Sequence, residues 1–135
     1  MSVMIINNIK PEYIFIYKNN LKQSYIQYKL PYIHLTSIAI KLDNITIKLN
    51  DNYFYIYINN RHNINTLQTI DNYMNNLYTN YIPLLYENNN IYYLKFRNNS
   101  ITRTKIKSYI KGNSIYIELV KIYKNSYKSN IIVYI

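Results

Sequence analysis

Cysteine and tryptophan are absent from this 135-residue chain, which also contains a single glycine and three prolines. Without cysteine there is no disulfide framework, no thiolate metal site and no cysteine nucleophile. One glycine excludes a glycine-rich phosphate-binding loop. No apolar run is long enough to cross a bilayer, and no basic segment followed by an apolar run indicates a secretory leader. We therefore expect a cytoplasmic protein without membrane contact.

Acidic residues are scarce as well: six stand against sixteen Lys and Arg, which gives a formal net charge of +10. The six carboxylates are scattered without a spacing that would hold Mg²⁺ or Zn²⁺, and His34 and His62 stand alone with no triad partner nearby. We therefore expect a binding protein with no enzymatic activity, cofactor or metal. A charge of this size on a small domain predicts a polyanionic partner. Lysine predominates over arginine, which favours phosphate contact over base readout.

Tyrosine is the abundant residue, with 19 copies against three phenylalanines. The segment 53–58 alternates, so a β-strand there would separate its side chains onto two faces. One face would carry Tyr53, Tyr55 and Tyr57, and the other Phe54, Ile56 and Ile58. The aliphatic row predicts a core position, and the tyrosine row predicts a solvent-exposed aromatic surface. In a basic chain such a surface is typical of single-strand binding by base stacking. The alternative is a tyrosine row packed under a loop or against another subunit.

The remaining pattern predicts a mainly β chain with one helix. Ile64, Leu67, Ile70, Met74 and Leu77 recur at spacings of three and four, which predicts an apolar helix face, with Asn63 or Asn65 as its N-cap and Asp71 among its polar positions. Alternating segments between Asn- and Asp-rich turns predict strands over 12–18, 21–30, 32–42, 45–49, 53–58, 91–97, 101–107, 114–123 and 131–135.

This order of elements resembles the OB-fold, in which a small Greek-key barrel with one helix binds oligonucleotides. We accordingly expect a single domain over 1–135: an OB-fold-like five-stranded Greek-key barrel preceded by an N-terminal β-hairpin extension. Almost every predicted strand supplies the aliphatic row that a barrel interior requires.

Further candidate contacts lie on the strands after the helix. Tyr93, Lys95 and Arg97 share one face of the segment 91–97, and Tyr92 lies on the other. The segment 101–107 forms a basic ribbon, for which a solvated edge strand is the alternative explanation. The complete set of candidate nucleic-acid contacts is Tyr53, Tyr55, Tyr57, Tyr92, Tyr93, Lys41, Lys48, Lys95, Arg97, Arg103, Lys105 and Lys107.

The last 70 or so residues resemble the single-stranded DNA-binding proteins of large cytoplasmic DNA viruses and of the linear cytoplasmic plasmids of yeasts. The similarity runs through the segments 67–71, 81–83, 93–96, 118–123 and 131–134. It implies a protein that coats and protects single-stranded DNA during replication, and it says nothing about partner recruitment. As further partners we expect copies of the same chain or replication proteins.

Two other classes fit the composition. One is a small basic subunit of a ribosome or RNA polymerase from an A+T-rich genome, and the other is a structural protein that self-assembles through its tyrosines. The interleaving of tyrosine with lysine favours the single-strand binder.

Overall fold

The structure, a computed structural model, describes residues 3–5, 9–18, 23–29, 37–98 and 114–134. This part of the chain contains ten β-strands, one α-helix and a short 3-10 turn over Pro11–Tyr13, so the prediction of a mainly β protein with one helix is confirmed. The elements are β1 Val3–Ile5, β2 Ile14–Lys18, β3 Ser24–Tyr28, β4 Ser37–Leu42, β5 Ile45–Leu49, β6 Tyr53–Ile58, α1 Arg61–Leu77, β7 Tyr86–Asn88, β8 Ile91–Arg97, β9 Ile115–Lys124 and β10 Ser129–Tyr134.

The first sheet has six strands, in the order β1-β4-β9-β3-β2 with β10 paired to β9. The long strand β9 organises it: one edge pairs with β4 and then with β3, and the other edge pairs with β10. The β2–β3 hairpin forms as predicted, but it is not an extension, because Ser24 and Tyr25 of β3 pair with Ile122 and Lys121.

The second sheet has the order β5-β6-β8-β7 and is antiparallel throughout. The chain enters it from β4 through the turn Asp43–Asn44, where Asn44 has a φ of 53°, a left-handed conformation that asparagine tolerates. The two strands joined by this turn belong to different sheets. The described strands therefore form two open sheets and do not close into the predicted five-stranded barrel.

The helix begins one turn earlier than its apolar pattern. Asn60 is the N-cap, and its side-chain oxygen accepts a hydrogen bond from the backbone N–H of Asn63 at 3.0 Å. The predicted caps, Asn63 and Asn65, are wrong because both lie inside the helix. Asn63 is instead buried, where it accepts from the N–H of Asp43 and donates to the carbonyl of Lys41, both at 2.9 Å. It thereby ties the start of the helix to the turn between the sheets.

The helix and both sheets share one hydrophobic core. The predicted inward row of β6 is confirmed: Phe54, Ile56 and Ile58 are 3%, 0% and 2% exposed. The helix contributes four of its five predicted apolar positions, and the fifth, Leu77, is exposed at the helix end. Burying this many aliphatic side chains supplies the main driving force for folding.

The prediction that Asp71 lies among the polar positions of the helix is wrong, because Asp71 is buried. Its carboxylate accepts hydrogen bonds from the hydroxyl of Tyr81 at 2.6 Å and from the N–H groups of Leu84 and Leu85 at 2.8 and 3.0 Å. Burial raises the pKa of the Asp71 carboxyl, and these hydrogen bonds oppose the rise. The carboxylate therefore fastens the connection between helix and β7 to the core.

We expect Asp71→Ala to lower the free energy of unfolding by about 3 kcal/mol, since one hydroxyl and two N–H groups lose their acceptor in a buried place. Tyr81→Phe removes one of the three bonds and should cost about 1 kcal/mol. Denaturant titration measures both, with Asp51→Ala as the control because Asp51 is exposed in a turn. A loss for Asp71→Ala no larger than that of the control would show that the carboxylate does not secure the connection.

Candidate nucleic-acid interface

One face of the second sheet combines tyrosines with basic residues. In an antiparallel sheet, directly paired residues point to the same side, so the pairings define which side chains share a face. Three rows result: Tyr53 with Arg97; Lys48, Tyr55 and Lys95; and Thr46, Tyr57, Tyr93 and Tyr86. We call the five tyrosines and three cations of these rows the tyrosine face. In the four strands of this sheet the one acidic residue, Glu87, lies in the opposite register beside Tyr92.

Asparagine turns set the register of this face. The side-chain oxygen of Asn50 accepts from the N–H groups of Asn52 and Tyr53 at 2.9 and 2.8 Å, which starts β6 at Tyr53. Asn89 and Asn90 have φ values of 52° and 64°, as a two-residue hairpin turn between β7 and β8 requires. This turn places Tyr86 directly opposite Tyr93.

The five rings form one connected cluster. Tyr93 lies at its centre, with its ring centroid 5.8 Å from that of Tyr55, 5.7 Å from Tyr57 and 5.4 Å from Tyr86. The planes of Tyr86 and Tyr93 are only 12° apart, so these two rings are stacked. Tyr53 joins through Tyr55 at 6.2 Å. Such aromatic pairs add about 0.5–1.5 kcal/mol each beyond area burial, which holds the rings in place before any ligand arrives.

Two lysines lie over rings of the face. The Lys95 Nζ atom is 4.1 Å from the ring centroid of Tyr53, and the Lys48 Nζ atom is 5.5 Å from that of Tyr57, both within cation–π range. Lys48 and Lys95 also flank Tyr55 in the same row. The positive charges are thus among the rings rather than beside them.

The structure brings seven of the nine described candidate residues together and places the other two elsewhere. Tyr92 is on the opposite side of β8, packed against the core. Lys41 belongs to the first sheet and forms an ion pair with Asp43 at 3.6 Å. Arg103, Lys105 and Lys107, with the predicted strand over 101–107, lie outside the described residues.

Sequence reasoning missed Tyr86, which is 37% exposed at the margin of the face. The sequence contained the information needed to find it. In a hairpin with Asn89 and Asn90 as its two-residue turn, counting outward pairs Tyr86 with Tyr93.

The aromatic residues of 13–17 do not form a second face of this kind. Tyr13 lies in the 3-10 turn, and its ring packs edge-on against Tyr28 with the centroids 5.8 Å apart. Phe15 and Tyr17 are exposed on β2 at 45% and 48%.

Comparison of the chain with protein-family models, with curated proteins and with solved structures finds no match. Within the described part of the chain, no helix combines the length and apolar character needed to span a membrane. The same part of the chain holds no group of three or more His, Cys, Asp or Glu residues placed to bind a metal ion. The residues of the tyrosine face offer aromatic surface and positive charge.

Proposed function

We propose that the chain is a sequence-tolerant single-stranded DNA-binding protein, which stacks bases on its tyrosines and contacts phosphates through its lysines. The observation that carries this proposal is the tyrosine face, where five connected rings are interleaved with three cations. Aromatic side chains supply a π surface to any base, while lysines act as point charges for phosphates, so neither element selects a sequence.

The size of the face suits a short length of single strand. The six residues of β6 extend about 20 Å at roughly 3.3 Å per residue, and four strands lie side by side at about 4.8 Å spacing. A surface of these dimensions accommodates a few stacked nucleotides, at the lower end of the site sizes of about 4–16 nucleotides known for single-strand-binding domains.

The proposal includes a role in protecting single strands during replication of a viral or plasmid DNA in the cytoplasm, with an open variant of the OB-fold as the scaffold. Two features support the fold relation. One helix separates the first six strands from the last four, and β9 pairs with strands on both edges around a core shared by the two sheets.

Intrinsic fluorescence provides the test, since the chain has 19 tyrosines and no tryptophan. We expect oligothymidylate to quench part of the tyrosine emission as bases stack on the face. Inorganic polyphosphate of equal charge carries no bases and should bind more weakly without quenching. If polyphosphate matched oligothymidylate in affinity, the rings would play no part in binding.

Salt dependence measures the contribution of the charges. Each phosphate neutralised on a single strand contributes about −0.7 to the log–log slope of affinity against salt, so the three cations of the face predict a slope of about −2 from this face. Lys95→Ala should reduce the slope by about 0.7. Lys41→Ala is the matched control, because Lys41 lies on the other sheet and is paired with Asp43. Equal effects of the two substitutions would mean that the face is not where phosphates bind.

A further inference from the structure

A second basic surface lies on the first sheet, away from the tyrosine face. A groove of about 820 Å³ runs where β3, β9 and β10 meet the end of the helix, and Lys18, Lys121 and Lys124 line it. A neighbouring groove of about 680 Å³ shares Lys18, Tyr78 and Lys124 with the first, so the two are continuous. We call this continuous surface the lysine groove.

The lysine groove carries positive charge from three lysines. None of the described residues that line either part of it is acidic. Among the described residues, no ion pair involves Lys18, Lys121 or Lys124. The end of the helix at Leu77 brings a partial negative charge of about half a unit, which three lysines outweigh. The net field in the groove therefore attracts anions.

Aromatic rings line the groove together with these lysines. Tyr78, Tyr123 and Tyr134 line the groove, and Tyr123 is 47% exposed. Burial raises the pKa of the Tyr78 hydroxyl, and a hydrogen bond with Ser24 opposes the rise.

The turn after β9 fixes this side of the groove. The side-chain oxygen of Asn125 accepts from the N–H groups of Tyr127 and Lys128, both at 2.8 Å, and this closes the β9–β10 hairpin directly after Lys124. These hydrogen bonds anchor the side of the groove that Lys124 and Asn125 line.

We propose that the lysine groove is a second contact surface for the same single-stranded DNA, which engages strands longer than the tyrosine face can hold. This inference rests on the proposed function and extends it from a single face to a longer site. The groove offers the same chemistry as the face, since each surface combines three cations with tyrosine rings. Single-stranded DNA that is bound to the tyrosine face is therefore also a suitable ligand for the lysine groove.

Two oligothymidylates separate the surfaces, one of about 6 nucleotides and one of about 16, spanning the range of known site sizes. We expect the triple variant Lys18→Ala, Lys121→Ala and Lys124→Ala to bind the short strand like the parent. On the long strand it should lose roughly tenfold in affinity at low salt, with a slope lower by about 2, from three phosphate contacts at about 0.7 each.

The matched control removes three other exposed cations, Lys10, Lys29 and Arg61, and so lowers the net charge equally. It should leave the long strand bound within about twofold if only local phosphate contacts matter. The variant Lys18→Arg, Lys121→Arg and Lys124→Arg keeps the charges and should bind the long strand like the parent. Unchanged short-strand binding by the alanine variant excludes misfolding as the cause of its loss.

Three results would overturn the inference: an unchanged long-strand affinity in the alanine variant, equal losses on both strand lengths, or an equal loss in the control. Failure of the proposed function looks different, since the parent protein would then bind neither strand.

Discussion

Replacing Tyr55 and Tyr57 together with alanine is expected to weaken oligothymidylate binding by about 2–6 kcal/mol, because each stacked base contributes about 1–3 kcal/mol. This corresponds to roughly 30-fold to 10⁴-fold in affinity. The two rings are in contact, with centroids 6.4 Å apart, so the double variant need not equal the sum of the single ones. The salt slope should stay nearly constant, since no phosphate contact is lost. Equilibrium titration at several salt concentrations measures both quantities.

Two controls separate stacking from other effects of these substitutions. Phenylalanine at positions 55 and 57 keeps the rings and should retain binding within a few-fold. Tyr127→Ala removes a tyrosine that is 82% exposed in the β9–β10 turn, and should change nothing. If the double alanine variant folded and bound like the parent, stacking on β6 would be excluded.

Substitution in the buried aliphatic row of β6 is expected to give the second large effect, which is on stability rather than on binding. Ile56 lies between Tyr55 and Tyr57 in the sequence, and its side chain is fully buried in the core. We expect Ile56→Ala to lower the free energy of unfolding by about 2–5 kcal/mol, from lost apolar burial plus the cavity left behind. Denaturant titration measures this loss, and binding at a temperature where the variant is folded should remain close to that of the parent.

Tyr55→Ala is the matched comparison on the other face. It loses ring contacts with Tyr53, Tyr57 and Tyr93. Because these rings are partly exposed, we expect about 0.5 kcal/mol for each contact, the lower end of the range for such pairs, and so a smaller cost of about 1.5 kcal/mol in stability. A larger loss of stability for Tyr55→Ala than for Ile56→Ala would mean that the tyrosine row, and not the aliphatic row, is the one that holds the fold together.

Local periodicity predicted the elements well, because it depends only on neighbours within one strand or one helix. The two rows of β6 and the helix face from Ile64 to Met74 follow directly from spacing. The exceptions have local causes. Leu77 is in the last helical turn, beyond the core. Strands β1 and β7 were not predicted, because three residues are too few to show a period.

Partition of the strands into sheets was not predictable in the same way. The short turn Asp43–Asn44 is typical of a hairpin, yet β4 pairs with β9 and β5 pairs with β6. Strand β9 lies more than 70 residues further along the chain than β4, and no local pattern carries that information. Asp71 escaped prediction for a similar reason, since its partners follow the helix in a connection that has no periodicity of its own.

The candidate site was predictable where its residues share strands. Tyr53, Tyr55 and Tyr57 share one strand and Tyr93 and Lys95 another, so alternation alone assigned them to faces. The tyrosine row of β6 and the row of β8 with Tyr93 and Lys95 lie on the same side of one sheet because β6 pairs with β8. Only the structure shows this pairing.

The preference for single strands over duplex tests the central claim most directly. Stacking needs unpaired base faces, so the protein should bind oligothymidylate at least tenfold more tightly than a duplex of equal length at moderate salt. Charge attraction alone predicts the reverse, because duplex DNA carries the denser array of phosphates. Equal or tighter binding to the duplex would contradict the assignment of the tyrosine face as a base-stacking surface.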